Sequence, residues 1–133
     1  MTATRRPRVA PDVREARTCY DHLAGVAGVA LCERLLALGW LEYASDGADA
    51  PRPALTLTAA GRRALAARGV AVPPEGRGRR FAYACPDWTE PGAHLGGALG
   101  AAVLRALEAE ELVRRREGTR AVQAAPDLAR WPE

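Results

Sequence analysis

The chain repeats itself around its only two histidines. His22 and His94 each open the pattern His-Leu-x-Gly-x-x-Gly, and each follows a Cys-x-Asp triplet. The first copy reads Cys19-Tyr20-Asp21-His22-Leu23-Ala24-Gly25-Val26-Ala27-Gly28. The second reads Cys85-Pro86-Asp87, then a six-residue insertion from Trp88 to Ala93, then His94-Leu95-Gly96-Gly97-Ala98-Leu99-Gly100. Past the glycines the copies align without gaps: Ala30 matches Ala102, Leu35 matches Leu107, and Trp40-Leu41 matches Leu112-Val113. A unit of this size cannot bury enough apolar surface alone, so the repeat predicts two helix-plus-hairpin units packed on each other.

The 133 residues, 48% of them hydrophobic, suffice for one compact domain or two very small ones. The sequence has no run of eighteen apolar residues, and no apolar stretch follows its basic N-terminus, which predicts a cytoplasmic protein without a membrane span or secretory signal. Three scattered cysteines predict reduced thiols rather than a disulfide framework. All nineteen basic residues are arginine, the better binder of phosphates and buried carboxylates. The net charge of +3 permits a nucleic-acid partner without demanding one.

Residues 1–12 read as a basic, disordered arm ending at Pro11-Asp12, a helix start. A helix is expected over 13–23, with Cys19 and His22 at i and i+3 on one face. Gly25 and Gly28 should end it, and the leucines after them predict a second helix over 29–38, stopped by Gly39. Residues 40–43 and 54–57 alternate like strands around a loop at 45–53, and Thr58 should cap a helix over 59–68. Residues 73–80 form a Pro, Gly and Arg linker. The second unit, 81–125, should repeat the plan with a helix over 94–111, strands at 112–115 and 119–123, and a tight turn at Glu117-Gly118. Residues 126–133 form a tail in which Trp131 is expected to fold back on the core. The predicted fold class is α+β and mostly helical, with winged-helix-like units at 13–72 and 81–125 packed as one compact domain.

Cys19, His22, Cys85 and His94 are the candidate site. Two thiolates and two imidazoles are a ligand set that tetrahedral zinc, or another thiophilic metal, favours, and a duplicated fold brings two half-sites together about a pseudo-twofold axis. Asp21 and Asp87 would stand behind the histidines as acceptors. The spacings C-x2-H and C-x8-H match no standard finger. The same residues also fit a packing role, with buried thiols, histidines at helix ends, and Asp87 with Glu90 as a capping box. Cys32 falls outside the site, because its counterpart in the second copy is Leu104. A catalytic Cys-His pair lacks an oxyanion-hole loop or third group, so no enzyme is expected. The glycines follow no predicted strand, so helix termini or close packing explain them better than a dinucleotide loop.

The stretches 16–25, Leu55-Thr56-Leu57-Thr58-Ala59-Ala60-Gly61, Cys85-Pro86-Asp87-Trp88-Thr89-Glu90 and His94 to Gly100 together resemble the C-terminal region of a subset of ArsR-type bacterial transcriptional regulators. The likeness spans residues 14 to 125. It departs from the family at Pro91-Gly92, where a more basic, helix-compatible stretch is expected. The resemblance implies a region that follows an N-terminal winged helix-turn-helix DNA reader and senses a metal or small molecule. The chain starts about where that effector region would, so the reader is expected to be absent.

Arg114, Arg115, Arg116 and Arg120 straddle the second hairpin and are the candidate phosphate contacts of a basic wing. Nearby glutamates offset their field, and the helices show few base-reading side chains. The expected function is therefore a sensor or effector module acting as a homodimer or through a separate DNA-binding partner. The alternative is a protein-interaction module of degenerate winged-helix units without a ligand.

Overall fold

The computed structural model describes residues 10–44, 50–76 and 78–132. Most of the expected basic arm (residues 1–9), the start of the 45–53 loop (residues 45–49), Arg77 of the linker and Glu133 of the tail lie outside the described residues. The architecture is α+β, with four α-helices and four two-stranded antiparallel hairpins among the described residues.

The chain opens with α1 (Pro11–Glu15), then the hairpin β1 (Arg17–Cys19) and β2 (His22–Ala24), then α2 (Gly25–Ala37). A second hairpin, β3 (Leu41–Tyr43) with β4 (Leu55–Leu57), leads into α3 (Ala59–Ala67). The second half repeats hairpin, helix, hairpin as β5 (Tyr83–Pro86), β6 (Ala93–Gly96), α4 (Gly97–Ala109), β7 (Val113–Arg115) and β8 (Val122–Ala124). A 3-10 helix, Pro126–Arg130, closes the chain.

The expected helix over 13–23 does not form. Helical structure stops at Glu15, and residues 17–24 make a tight hairpin with Cys19 opposite His22. Strand pairing therefore replaces helix over residues 17–24. Gly25 begins a helix instead of ending one. It sits at φ +81, and a Cβ there would lie 2.6 Å from the Arg14 carbonyl oxygen, so glycine alone lets the chain turn straight from β2 into α2. Gly97, at φ +86, does the same between β6 and α4. The long helix expected from His94 starts three residues later for this reason.

Other expectations hold. Thr58 caps α3, its Oγ1 accepting from the Gly61 N–H at 3.0 Å. The hairpin β3–β4 lies within the segment expected for it; β7 lies within its expected strand, while β8 starts three residues later and ends one residue later than expected. Trp131 is buried at the core, its indole N–H donating to Glu110 at 3.0 Å.

The halves interlock reciprocally. The Leu55 N–H donates to the Ala82 carbonyl and the Ala84 N–H to Pro53, so the second hairpin of the first half pairs with the first hairpin of the second. The Val122 N–H donates to Ala16 and the Thr18 N–H to Arg120, which is the same contact with the halves exchanged. Helix α2 packs on β6 while α4 packs on β2. The core between them holds Leu35, Leu41, Leu65, Leu99, Leu104 and Leu107, all fully buried, and each such burial stabilises by about 1.5–3 kcal/mol.

Candidate metal centre

The hairpins β1–β2 and β5–β6 face each other where the halves meet, β2 packing against β6. Within each, a cysteine is the cross-strand partner of a histidine: Cys19 opposite His22 on β1–β2, and Cys85 opposite His94 on β5–β6. The six-residue insertion only lengthens the second turn, leaving that pair in register. One ligand atom from each of the four residues lies within 4.8 Å of every other, so the group could hold a metal ion. Tetrahedral zinc with two sulfurs and two nitrogens sets donors about 3.3–3.8 Å apart, a small side-chain adjustment from this arrangement.

Glycine permits the approach. A Cβ on Gly100 would meet the His22 Cβ at 3.1 Å and the Leu95 carbonyl oxygen at 2.5 Å. A Cβ on Gly28 would meet the His94 Cβ at 3.4 Å and the Leu23 carbonyl oxygen at 2.5 Å. Of the two roles expected of the glycines, helix termini or close packing, Gly28 and Gly100 take the second: Gly28 lies inside α2 and not at the helix end expected for it, and Gly100 lies inside α4. Each half thus leaves space for the other's histidine, and the two imidazole rings stand 5.0 Å apart.

Both histidines are buried, and the Nε2 of each has no hydrogen-bond partner among the described residues. An orphaned buried ring nitrogen costs free energy, which a metal ion at this point would return. The Nδ1 atoms are held unequally. That of His94 lies 2.8 Å from Oδ1 of Asp87, a fully buried carboxylate. That of His22 lies 3.5 Å from Asp21, which is one-third exposed and turned toward Arg79, and makes no hydrogen bond among the described residues.

Asp87 is the most heavily bonded group in the molecule's centre. It accepts from the Gly25 N–H (2.9 Å), from Arg17 (3.1 Å), and from the Thr89 and Glu90 N–H groups (both 3.0 Å). Thr89 and Glu90 lie in a loop, so Asp87 caps a turn and not the start of a helix as the capping-box reading required. Burial by itself would raise the Asp87 carboxyl, but the hydrogen bonds from His94, Gly25 and Thr89, with the Arg17 charge, hold it well below the usual carboxylate range. An ionised Asp87 makes His94 Nδ1 the donor and leaves the lone pair on Nε2.

Burial lowers the His22 pKa, with His94 adding to the effect, so the ring favours its neutral, ligating form. Burial pushes the Cys19 thiol up, and the adjacent Cys85 thiol adds to the shift. The hydrogen bond to Arg79 first, outweighing the cost of burial, keeps the Asp21 carboxyl low. Cys32 stands apart: it is buried in the core and desolvation pushes its thiol up to about 12. The reading of Cys32 as a packing residue fits its place.

Sequence reasoning did not find Arg17 and Thr89. Both are almost fully buried and bonded to each other at 3.0 Å and to Asp87. Their separation of 72 residues leaves no local signal. The arginines of the second hairpin are not drawn to the site as a group. Arg114 pairs with Glu111 at 3.9 Å, Arg115 with Glu108 at 2.8 Å and Arg116 with Asp12 at 3.4 Å. Arg120 lies near Cys19, where its charge opposes the rise in the thiol's pKa.

No protein-family model matches the chain, and no solved structure matches it. The chain is similar to the uncharacterized HTH-type transcriptional regulator YdfF of Bacillus subtilis (strain 168), with 35% identity over 113 residues, 84% of this chain. That alignment spans 47% of the relative, so the chain covers about half the length of the protein it resembles.

Proposed function

We propose that the chain is a metal-binding sensor or effector module of an ArsR-type transcriptional regulator, with zinc or another thiophilic ion held by Cys19, His22, Cys85 and His94. The observation that carries this reading is the meeting of two cross-strand Cys-His pairs, one from each half, with both Nε2 atoms buried and unpartnered. Asp87 fixes the His94 ring from behind, while Asp21 stands near His22 at 3.5 Å without a hydrogen bond to it.

The regulatory half of the proposal rests on the likeness to YdfF. The two halves are read as copies of one ancestral unit whose second hairpins stand where a winged helix carries its wing. Because the ion would join hairpins from opposite halves, its arrival would tighten the interface between them, which is the change a sensor needs. The action is non-enzymatic and cytoplasmic, exerted as a homodimer or through a DNA-reading partner. Ion pairs on Arg114, Arg115 and Arg116 leave the second hairpin little free charge for phosphates, which favours action through the partner.

Elemental analysis of protein purified without chelators tests the proposal. One zinc per chain, lost from Cys19→Ser and from Cys85→Ser, is expected. Stoichiometric metal that survives both substitutions, or none in the unmodified protein after zinc loading and desalting, would overturn it.

A further inference from the structure

A second site lies on the outer side of His22. A cavity of about 370 Å³ is lined by Tyr20, Arg52, Arg79, Arg80 and Tyr83, with no carboxylate in its wall among the described residues. This volume suits a small organic molecule. The Arg80 guanidinium lies over the Tyr83 ring at 4.6 Å, and that ring stands edge-on to His22 with centroids 6.3 Å apart. Arg79 lies 5.6 Å from the Tyr20 ring and is tied to Asp21 at 2.6 and 3.3 Å. Neither Arg52 nor Arg80 has a carboxylate partner among the described residues.

The pseudo-twofold shows what belongs there. Arg80 is the counterpart of Arg14: the Arg14 carbonyl faces Gly25 as the Arg80 carbonyl faces Gly97, and Cys19 follows Arg14 at the spacing at which Cys85 follows Arg80. In the second half the six-residue insertion folds over Arg14 and sets the Glu90 carboxylate 3.4 Å from it. The first half has no insertion, only the two-residue turn Tyr20-Asp21, and the space beside Arg80 is the cavity. Tyr20 is 83% exposed and held at φ 58, a left-handed conformation that a tyrosine adopts only when its surroundings impose it.

We propose that this cavity binds a small aromatic carboxylate, its carboxylate seated on Arg80 and Arg52 as Glu90 sits on Arg14, and its ring against the exposed Tyr20, while Tyr83, packed between Gly96 and Arg80, holds the Arg80 guanidinium in place. A guanidinium fork recognises a carboxylate through paired N–H donors, and the phenol face of Tyr20 takes a flat ring. The site is separate from the four metal donors, so it stands whether or not they hold an ion. The link from Arg79 through Asp21 to His22 gives the ligand a physical route to the metal centre.

Isothermal titration of the zinc-loaded and the chelated protein with benzoate, 4-hydroxybenzoate, 1-naphthoate and inorganic phosphate tests the inference. Saturable one-to-one binding of at least one aromatic carboxylate is expected, weakened tenfold or more by Arg80→Gln and several-fold by Tyr20→Ala. Tyr20 is exposed, so its replacement should leave the fold intact. Arg62→Gln, remote from the cavity and paired with Glu75, should leave binding unchanged. Absence of binding by all three aromatic carboxylates would overturn the proposal. Binding indifferent to both Arg80→Gln and Tyr20→Ala, or phosphate binding as tightly as the best carboxylate, would do the same.

Discussion

Asp87 holds His94 Nδ1 at 2.8 Å through the same oxygen, Oδ1, that accepts the Gly25 N–H at 2.9 Å. One buried carboxylate therefore fixes a candidate ligand in the second half and the first turn of α2 in the first half. Its other oxygen takes Arg17, itself almost fully buried. Removing the charge leaves Arg17 unpaired in the interior, a loss of about 3 kcal/mol or more. Asp87→Asn should accordingly destabilise the fold by that amount and lower zinc affinity about 10–100-fold. Competition with a chromophoric chelator and a urea melt measure both. Asp21→Asn should change affinity less, since Asp21 is one-third exposed and 3.5 Å from its histidine.

Gly28 and Gly100 each make room for the histidine of the opposite half. Gly28→Ala and Gly100→Ala place a methyl 2.5 Å from a carbonyl oxygen within their own halves and against His94 and His22 respectively. Each should lose about 1–3 kcal/mol from overpacking. Gly39→Ala, where nothing lies within 4 Å but φ is +74, should destabilise through backbone strain without altering metal affinity. Thermal melts and metal titrations of the three variants separate crowding at the centre from strain elsewhere.

The three thiols should react as two classes. With its thiol pushed up to about 12, Cys32 carries roughly one thiolate in ten thousand at pH 8 and is buried besides. Iodoacetamide at pH 8 should label Cys19 in the metal-stripped protein and not in the zinc-loaded one, and the buried Cys32 and Cys85 only after denaturation. The sign with pH follows: Cys32 labelling in the folded protein should stay negligible up to about pH 10 and rise only as the pH approaches 12. Mass spectrometry of peptides reads each site.

Metal removal should loosen the whole molecule, because the ion would bridge hairpins that otherwise meet through a few hydrogen bonds and the leucine core. At a free zinc concentration a thousandfold above Kd the linkage is about 4 kcal/mol, equivalent to a Tm difference of about 10 °C or more for a chain of this size. Chelator should lower the Tm of the unmodified protein by that order. It should leave Cys19→Ser, which should already melt near the chelated value, unchanged.

The local elements were legible in the sequence where one signal dominated. Thr58 ahead of an alanine-rich run reads as a cap and is one, and the alternation around Trp40 reads as a strand. The segment around Cys19 was not, because a spacing of C-x2-H suits two geometries: adjacent turns of a helix, or partners across a two-residue hairpin turn. The second copy held the deciding hint. Six residues inserted between Cys85 and His94 would destroy a helical i, i+3 pair but only lengthen a hairpin turn, and the structure keeps Cys85 opposite His94. The four candidate ligands were legible as residue types and their convergence followed from the repeat. The support behind them was not, since Arg17, Thr89 and the Gly25 amide reach Asp87 from far along the chain.

Cobalt(II) titration of the reduced, metal-stripped protein tests the central claim most directly, because cobalt reports both geometry and ligand type. One equivalent should give intense tetrahedral visible bands and a thiolate charge-transfer band near the ultraviolet, both displaced by zinc. Cys19→Ser, Cys85→Ser, His22→Ala and His94→Ala should each weaken or abolish them, while Cys32→Ala should not. Absence of bands at saturating cobalt, or bands unchanged in the Cys19 and Cys85 variants, would contradict a shared centre at the junction of the two halves.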